Sequence, residues 1–168
     1  MMINQVRSIQ TCPPRPSMRQ VVIGLIGGVL GIGATAWLTQ LTNVPLLIAP
    51  FGATCVLLFA APTAPLAQPR NVVIGHFISA LVGIVIFQLL GNSPLSMAIA
   101  VGLAIALMQL CRAVHPPAGA NPLVIMMAGV NDYFFLITPV LVGSLILILT
   151  ALILNNIDKS KRWPIYWY

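Results

Sequence analysis

The stretch CRAVHPPAGANPLVIMM, residues 111–127, decides how the rest of the chain is read. It sets an arginine, a histidine and a run of prolines and small residues directly before a purely apolar tract. Asn121 is a favoured N-cap, and Pro122 suits the first helical position, where its missing N–H is of no consequence and its φ is already helical. The pattern therefore predicts a helix opening at Pro122. From there to Gly129 is about eight residues, or ~12 Å at helical rise, less than half of a ~30 Å hydrocarbon core. With proline and glycine in its first half, the segment 116–129 reads as a half-helix rather than an ordinary span.

The first half of the chain holds a second segment of this kind, LLIAPFGATCVLLFA at residues 46–60. Writing PFGATCVLLF from Pro50 over PAGANPLVIM from Pro117 aligns proline with proline, Gly52 with Gly119, Ala53 with Ala120 and Thr54 with Asn121. Thr54 is then the expected cap of the first half-helix, with Cys55 opening it. Further on, ALVG at 80–83 corresponds to VLVG at 140–143, the change of offset matching the longer connection around APTAPLAQPRN. Four long apolar segments flank the short ones: Val21 to Leu41, Val72 to Leu90, Leu95 to Leu110 and Phe134 to Leu154. The expected fold is an all-α integral membrane bundle of two internal repeats. Each is helix, short broken half-helix segment, helix, over about residues 18–90 and 94–156, giving about six membrane segments. Residues 1–17 form a basic N-terminal tail and 157–168 a basic and aromatic C-terminal tail. Short, interrupted segments at corresponding places in two halves point to a transporter's central site.

Composition agrees. Apolar residues make up 59% of the 168 and charged residues 6%, and the mean hydropathy is +1.00, more than a soluble core of this size could hide from water. The net charge of +6 comes from eight Lys/Arg against Asp132 and Asp158. The basic residues gather mostly at the two ends, a pattern of anchoring at a membrane surface, and no basic, aromatic-interleaved patch for nucleic acid interrupts them. Cys12, Cys55 and Cys111 are scattered and contain no CxxC pair, so neither a disulfide framework nor a metal site is expected. The opening residues resemble a signal peptide only in charge. No carboxylate pair and no nucleophile with a base and orienting partner suggests an enzyme, and no cofactor is expected.

Charge also bears on topology. If both short segments cross the membrane, the N-terminal arginines, Arg70, Arg112, Lys159, Lys161 and Arg162 all fall on one side, which the positive-inside rule assigns to the cytoplasm together with both termini. If the short segments dip in and return, four crossings remain and Arg70 and Arg112 move to the outside. Six crossings account for every basic residue and are expected here. Three crossings per repeat make the repeats inverted, with half-helix N-termini meeting near the midplane. Their free N–H groups and positive dipole ends would favour a small monovalent anion. The candidate substrate-binding residues are Gly52, Ala53, Thr54, Gly119, Ala120 and Asn121, the small ones leaving the backbone open to a neighbour or a solute.

At this point the residues carry a family resemblance. HPPAGA with its apolar run, PFGATCVLLF, and PLAQPRNVVIGHFISALVG together resemble the HPP family of small integral membrane proteins, from about residue 18 to 156. The resemblance implies a membrane transporter, with cyanobacterial and chloroplast members associated with nitrite movement, residing here in a bacterial-type inner or plasma membrane. His115, Pro116 and Pro117 are the eponymous motif, and the two prolines are expected to set His115 on the cytoplasmic side of the site as a gate or cap. His76, the one titratable side chain well inside a long span, is expected on the pathway. Arg70, Asn71 and Arg112 complete the candidate pathway or gating residues, at the cytoplasmic ends of long helices. Trp163, Tyr166, Trp167 and Tyr168 read as an interfacial anchor. The expected partners are a nitrite-like inorganic anion, the lipid bilayer and a second copy of the chain. A non-transporting assembly or sensor subunit is the alternative.

Overall fold

A computed structural model of the chain describes residues 14–158 and 162–167. Arg7, Cys12, Lys159, Lys161, Tyr168 and most of the basic N-terminal tail lie outside them. The described residues form six α-helices: α1 Met18–Thr42, α2 Pro50–Ala60, α3 Pro69–Leu90, α4 Pro94–Leu110, α5 Asn121–Ala128 and α6 Val142–Asn155. Short 3₁₀ turns at Pro65–Ala67 and Pro116–Ala120 lead into α3 and α5. A wider π turn at Leu136–Leu141 leads into α6.

The punctuation is local. α2, α3, α4 and α5 each carry proline at the first or second position, where no N–H is needed. Ser17 accepts from the Gln20 amide at the start of α1, and Ser93 and Ser96 form a reciprocal capping box at the start of α4. Asn43, Gly91 and Gly129 close α1, α3 and α5 with positive φ. The span expected from Phe134 to Leu154 is broken near its start. Thr138 is extended there and Pro139 lacks a donor, so Leu136–Leu141 is offset from α6.

Among the described residues, three helical stretches are long and apolar enough to cross a membrane: Met18–Thr42, Pro69–Leu90 and Leu136–Asn155. α4, expected as a fourth, has 17 residues, or ~26 Å. α2 and α5, at 11 and 8 residues, are half-helices of ~16 and ~12 Å.

Hydrogen bonds at the helix ends give the path of the chain. At one end, Arg19 pairs with Asp158, Gln20 donates to the Ala60 carbonyl, Arg70 donates to the Cys111 carbonyl, and Tyr166 reaches Pro65. At the other, Gln88 donates to Asn131, Tyr133 donates to Gln88, and Thr138 donates to Pro45. The segments thus run alternately between the two ends, and the short ones pass through rather than return. Arg19, Arg70, Arg112 and Arg162 all gather at the first, basic end.

α3 is the axis, half buried, whereas little of α1 is buried. The main helix pairs in contact are α1·α2 and α4·α5, α3·α5 and α2·α6, α1·α6 and α3·α4, together with α3·α6. This set is unchanged when α1, α2 and α3 are exchanged for α4, α5 and α6. The main core joins Phe51, Leu58 and Phe59 of α2 to Ile84, Ile125 and Leu147. Small residues let helices close on it, as at Gly31, where an added Cβ would lie 3.1 Å from Leu147 and 3.3 Å from Cys55. α1 turns Leu25, Val29 and Trp37 outward, an apolar face suited to lipid.

Candidate functional site

The polar side chains that the sequence sets apart on different segments meet inside the bundle. Thr54 of α2, His76 of α3, His115 before the 3₁₀ turn and Asn121 of α5 are all buried. The Thr54 hydroxyl lies 2.8 Å from His76 Nε2 and 3.0 Å from His115 Nε2. Asn121 Nδ2 donates to the His76 carbonyl at 2.9 Å and lies 3.1 Å from His76 Nδ1. His115 Nδ1 is 2.8 Å from the Leu66 carbonyl. The imidazoles meet edge to face at 5.0 Å, and Phe51 closes on His76 at 5.2 Å.

Elementary valence orders these bonds. A carbonyl only accepts, so neutral His115 carries its proton on Nδ1 and presents Nε2 as an acceptor. Thr54 has one proton, which it donates to His115 Nε2 at 3.0 Å, the Pro50 carbonyl being a second acceptor at 3.3 Å, and its oxygen accepts from His76 Nε2–H. His76 Nδ1 is then bare and accepts from Asn121 Nδ2. The neutral cluster is one directed chain, Asn121 to His76 to Thr54 to His115 to the Leu66 carbonyl.

A stripe on α3 makes room for it. Gly75, Ser79 and Gly83 recur every fourth residue and so share one face. A Cβ on Gly75 would lie 2.7 Å from His115 Cβ and 3.0 Å from the Ala113 carbonyl. Ser79 donates to the Ala118 carbonyl, and a Cβ on Gly83 would lie 2.8 Å from Pro122 Cα. Sequence reading missed this stripe, although small residues at helical spacing were its signal. Gly143 of α6 plays the matching part on the other half, where a Cβ would meet Phe51 and lie 2.7 Å from the Leu46 carbonyl.

Several expectations are corrected. Thr54 does not cap α2, which starts at Pro50, and Asn121 is the first residue of α5 with Ala120 at the cap position. Their side chains hold the histidines instead. Several N–H groups at the starts of the half-helices, that of Gly52 among them, are in use rather than free. Phe51 donates to Ile48, Gly52 to Ala49 and Ala118 to His115, while the Asn121 N–H donates to Ala118. Nor do Gly52 and Gly119 serve close packing, since a Cβ on either meets nothing within 4 Å. His115 is not set apart from the site but sits at its centre, because the 3₁₀ turn of Pro116 and Pro117 folds it back under α3.

The remaining candidates lie around the cluster. Ala53 and Ala120 line an open, apolar surface groove of about 600 Å³ beside α2 and α5, with Val56, Pro116, Pro117 and Val124 among its walls. Arg70 holds the end of α4 at the Cys111 carbonyl. Arg112 is exposed with φ of 52°. Asn71 donates to Val114 and faces the Tyr166 hydroxyl at 2.8 Å. That hydroxyl is also 2.8 Å from the Pro65 carbonyl, and Gln68, unforeseen, accepts from the Ile165 amide. The C-terminal residues thus bind the turn that carries Leu66. Trp163 is buried and Trp167 more than half exposed. Cys55 and Cys111 are free thiols, and among the described residues no cluster could hold a metal.

Comparison with known proteins follows the same lines. Two proteins of Dictyostelium discoideum, whose names say only that they are transmembrane proteins, are similar to the chain. One is 38% identical over 93% of this chain and 59% of its own length. The other is 35% identical over 93% of this chain and 54% of its own length. The chain thus spans a little over half the length of these relatives, and neither name indicates an enzyme. No solved structure matches it. Residues 13–164 match the family described as HPP, transmembrane region. This integral membrane protein belongs to the HPP transmembrane family.

Proposed function

We propose that the chain is a transporter of a small monovalent anion, nitrite foremost, with its central site at the Thr54, His76, His115 and Asn121 cluster. The observation that carries this reading is the buried pair of imidazoles, bridged by Thr54, in the interior of a membrane bundle. Ionisable groups are expensive at membrane depth and are functional by default. The bonding inventory favours an anion. Protonating both rings turns every ring nitrogen into a donor, and Thr54 and Asn121 add an O–H and an N–H₂. No acidic side chain is bonded to the cluster among the described residues, which disfavours a cation. Nitrite itself comes from the family resemblance; physics alone does not select it over formate or nitrate.

The exchange-invariant helix pairing and the alternating path support reading the chain as two inverted repeats. In that reading Thr54 and Asn121 are equivalent positions that grip opposite nitrogens of His76, and Gly83 and Gly143 each seat the other repeat's half-helix. The basic end, with both termini, then faces the cytoplasm of an inner or plasma membrane, and the outward apolar faces meet lipid or a second copy of the chain.

The second reading, a non-transporting assembly or sensor subunit, is favoured by the closure of the cluster, whose bonds are satisfied internally. Purified protein in liposomes separates the two. Nitrite should enter at least tenfold faster than into empty vesicles, with sodium and ammonium excluded. Entry no faster than into empty vesicles would reject transport in favour of the subunit reading.

A further inference from the structure

Two imidazoles joined through a single hydroxyl form more than a binding site. We propose that Thr54 is a proton relay between His76 and His115, so that the cluster moves a proton along with its anion. The anion rests on the transport reading above; the relay itself rests on the geometry of these three side chains.

Each link is of hydrogen-bonding length, 2.8 Å from His76 Nε2 to Thr54 Oγ1 and 3.0 Å from there to His115 Nε2. The bonds already point one way, from His76 towards His115. A proton delivered from water or from the acid form of the anion adds to His76 Nδ1. The His76 Nε2–H bond then breaks as an O–H bond forms on Thr54, and the original Thr54 O–H bond breaks as an N–H bond forms on His115 Nε2. His76 is left neutral with its proton on Nδ1, and His115 is an imidazolium. One positive charge has moved from ring to ring, and nothing is oxidised or reduced. His115 returns to neutrality by losing the Nδ1 proton to water at the Leu66 turn.

Asn121 makes the first step reversible in orientation. Its Nδ2 lies 3.1 Å and its Oδ1 3.3 Å from His76 Nδ1, so the amide donates to the bare nitrogen and, turned over, accepts from the protonated one. After each transfer the links among Asn121, His76, Thr54 and His115 point the other way, and the link to the Leu66 carbonyl is lost until His115 regains a proton on Nδ1, because a carbonyl only accepts. The relay therefore resets before it carries again, and passes one proton per cycle rather than a continuous current. The groups that face the rings bring no other titratable side chain, and the Pro50 carbonyl, 3.3 Å from the Thr54 hydroxyl, accepts a hydrogen bond but is too weak a base to keep the proton. From α2 come Thr54 and Phe51 and from α5 comes Asn121. The nearest arginines in sequence, Arg70 and Arg112, lie at the basic end, Arg70 on the Cys111 carbonyl.

The test uses the purified chain in liposomes holding an internal pH dye, with empty vesicles as the blank. Proton entry is driven by an acid-outside pH step, with equal potassium on both sides and valinomycin holding the potential at zero, because a proton that moves with a monovalent anion carries no net charge, and it is read with and without an inward nitrite gradient. Wild type should acidify the interior well above the blank, Thr54→Val should lose at least tenfold of that rate, and Thr54→Ser, which restores a hydroxyl, should recover to within about threefold. Nitrogen-15 spectra of the histidines, read without nitrite, should show His76 protonated on Nε2 and His115 on Nδ1 in the resting protein, and should confirm that both variants are folded. Acidification by a folded Thr54→Val at the wild-type rate overturns the relay while leaving nitrite transport standing. Wild type that conducts protons but moves no nitrite overturns the transport reading and retains the relay. The reverse pair of resting tautomers, or no proton entry above the blank, overturns the relay.

Discussion

At the scale of residues, one methyl group separates positions that tolerate change from those that do not. Gly75 lies where a Cβ would crowd His115 and the Ala113 carbonyl. Gly75→Ala should therefore displace His115 from Thr54, at ~1–3 kcal/mol by overpacking. Its thermal midpoint in detergent should fall by several degrees, and the His115 ring resonances should shift. Gly52 is the contrast. A Cβ there meets open space on a helical residue, so Gly52→Ala should stabilise the fold by ~0.5–1 kcal/mol through lower backbone entropy in the unfolded chain, and a lowered midpoint would contradict this placement. Asn121→Leu strips His76 of two bonds; the His76 carbonyl keeps its bond within α3, and leaving the buried ring nitrogen unpaired costs ~1–3 kcal/mol. If Asn121 were only a helix cap, Asn121→Ser would keep the stability; the bonds to His76 predict that serine, too short to reach, loses as much as leucine in the same melting assay.

At the scale of elements, hydropathy and punctuation were legible and the partners of polar side chains were not. The half-helices, the long helices α1 and α3, and the glycine and proline that end and begin them follow from local rules that act within a few residues. The roles of Thr54 and Asn121 did not follow, because a cap and a long-range ligand use the same side-chain atoms. Only the arrival of His76 from a distant segment decides between them. His115 was visible as an intramembrane histidine, but its place beneath Gly75 depends on α3 and the 3₁₀ turn packing together. The aligned glycines had a meaning the alignment could not state. Gly83 seats Pro122 of α5 and Gly143 seats Phe51 of α2, each supporting the half-helix of the other half. Gly83→Ala and Gly143→Ala should each destabilise the protein by ~1–3 kcal/mol, measured as lowered midpoints of similar size. A marked loss in one and none in the other would show that the halves are not supported reciprocally.

At the scale of the whole molecule, the path of the chain through its two short segments decides which faces its loops share. If the segments pass through, as the bonds at the helix ends show, Cys111 lies at the end that holds Arg70, and Asn131 at the opposite end with Gln88. The capped connection at Gly91–Ser93 joins Asn131 there, since α3 runs from the Arg70 end to it. If instead the segments entered and returned, Cys111 and Asn131 would share a face and Asn92 would lie on the other. Cys111 is a native reporter, exposed and free, and Asn92 and Asn131 are exposed as well. With Cys12 and Cys55 replaced by serine and alanine, an impermeant maleimide on intact cells should label Asn92→Cys and Asn131→Cys. Cys111 should label only after permeabilisation, because the orientation proposed from the positive-inside rule puts the arginines gathered at its end in the cytoplasm. Labelling of Cys111 and Asn131→Cys from the same face would reject the through-passing path, and with it the proposed reading of the chain as two opposed repeats. Labelling of Cys111 alone from outside would keep the path and invert the molecule in its membrane, sending the proton relay in the opposite direction.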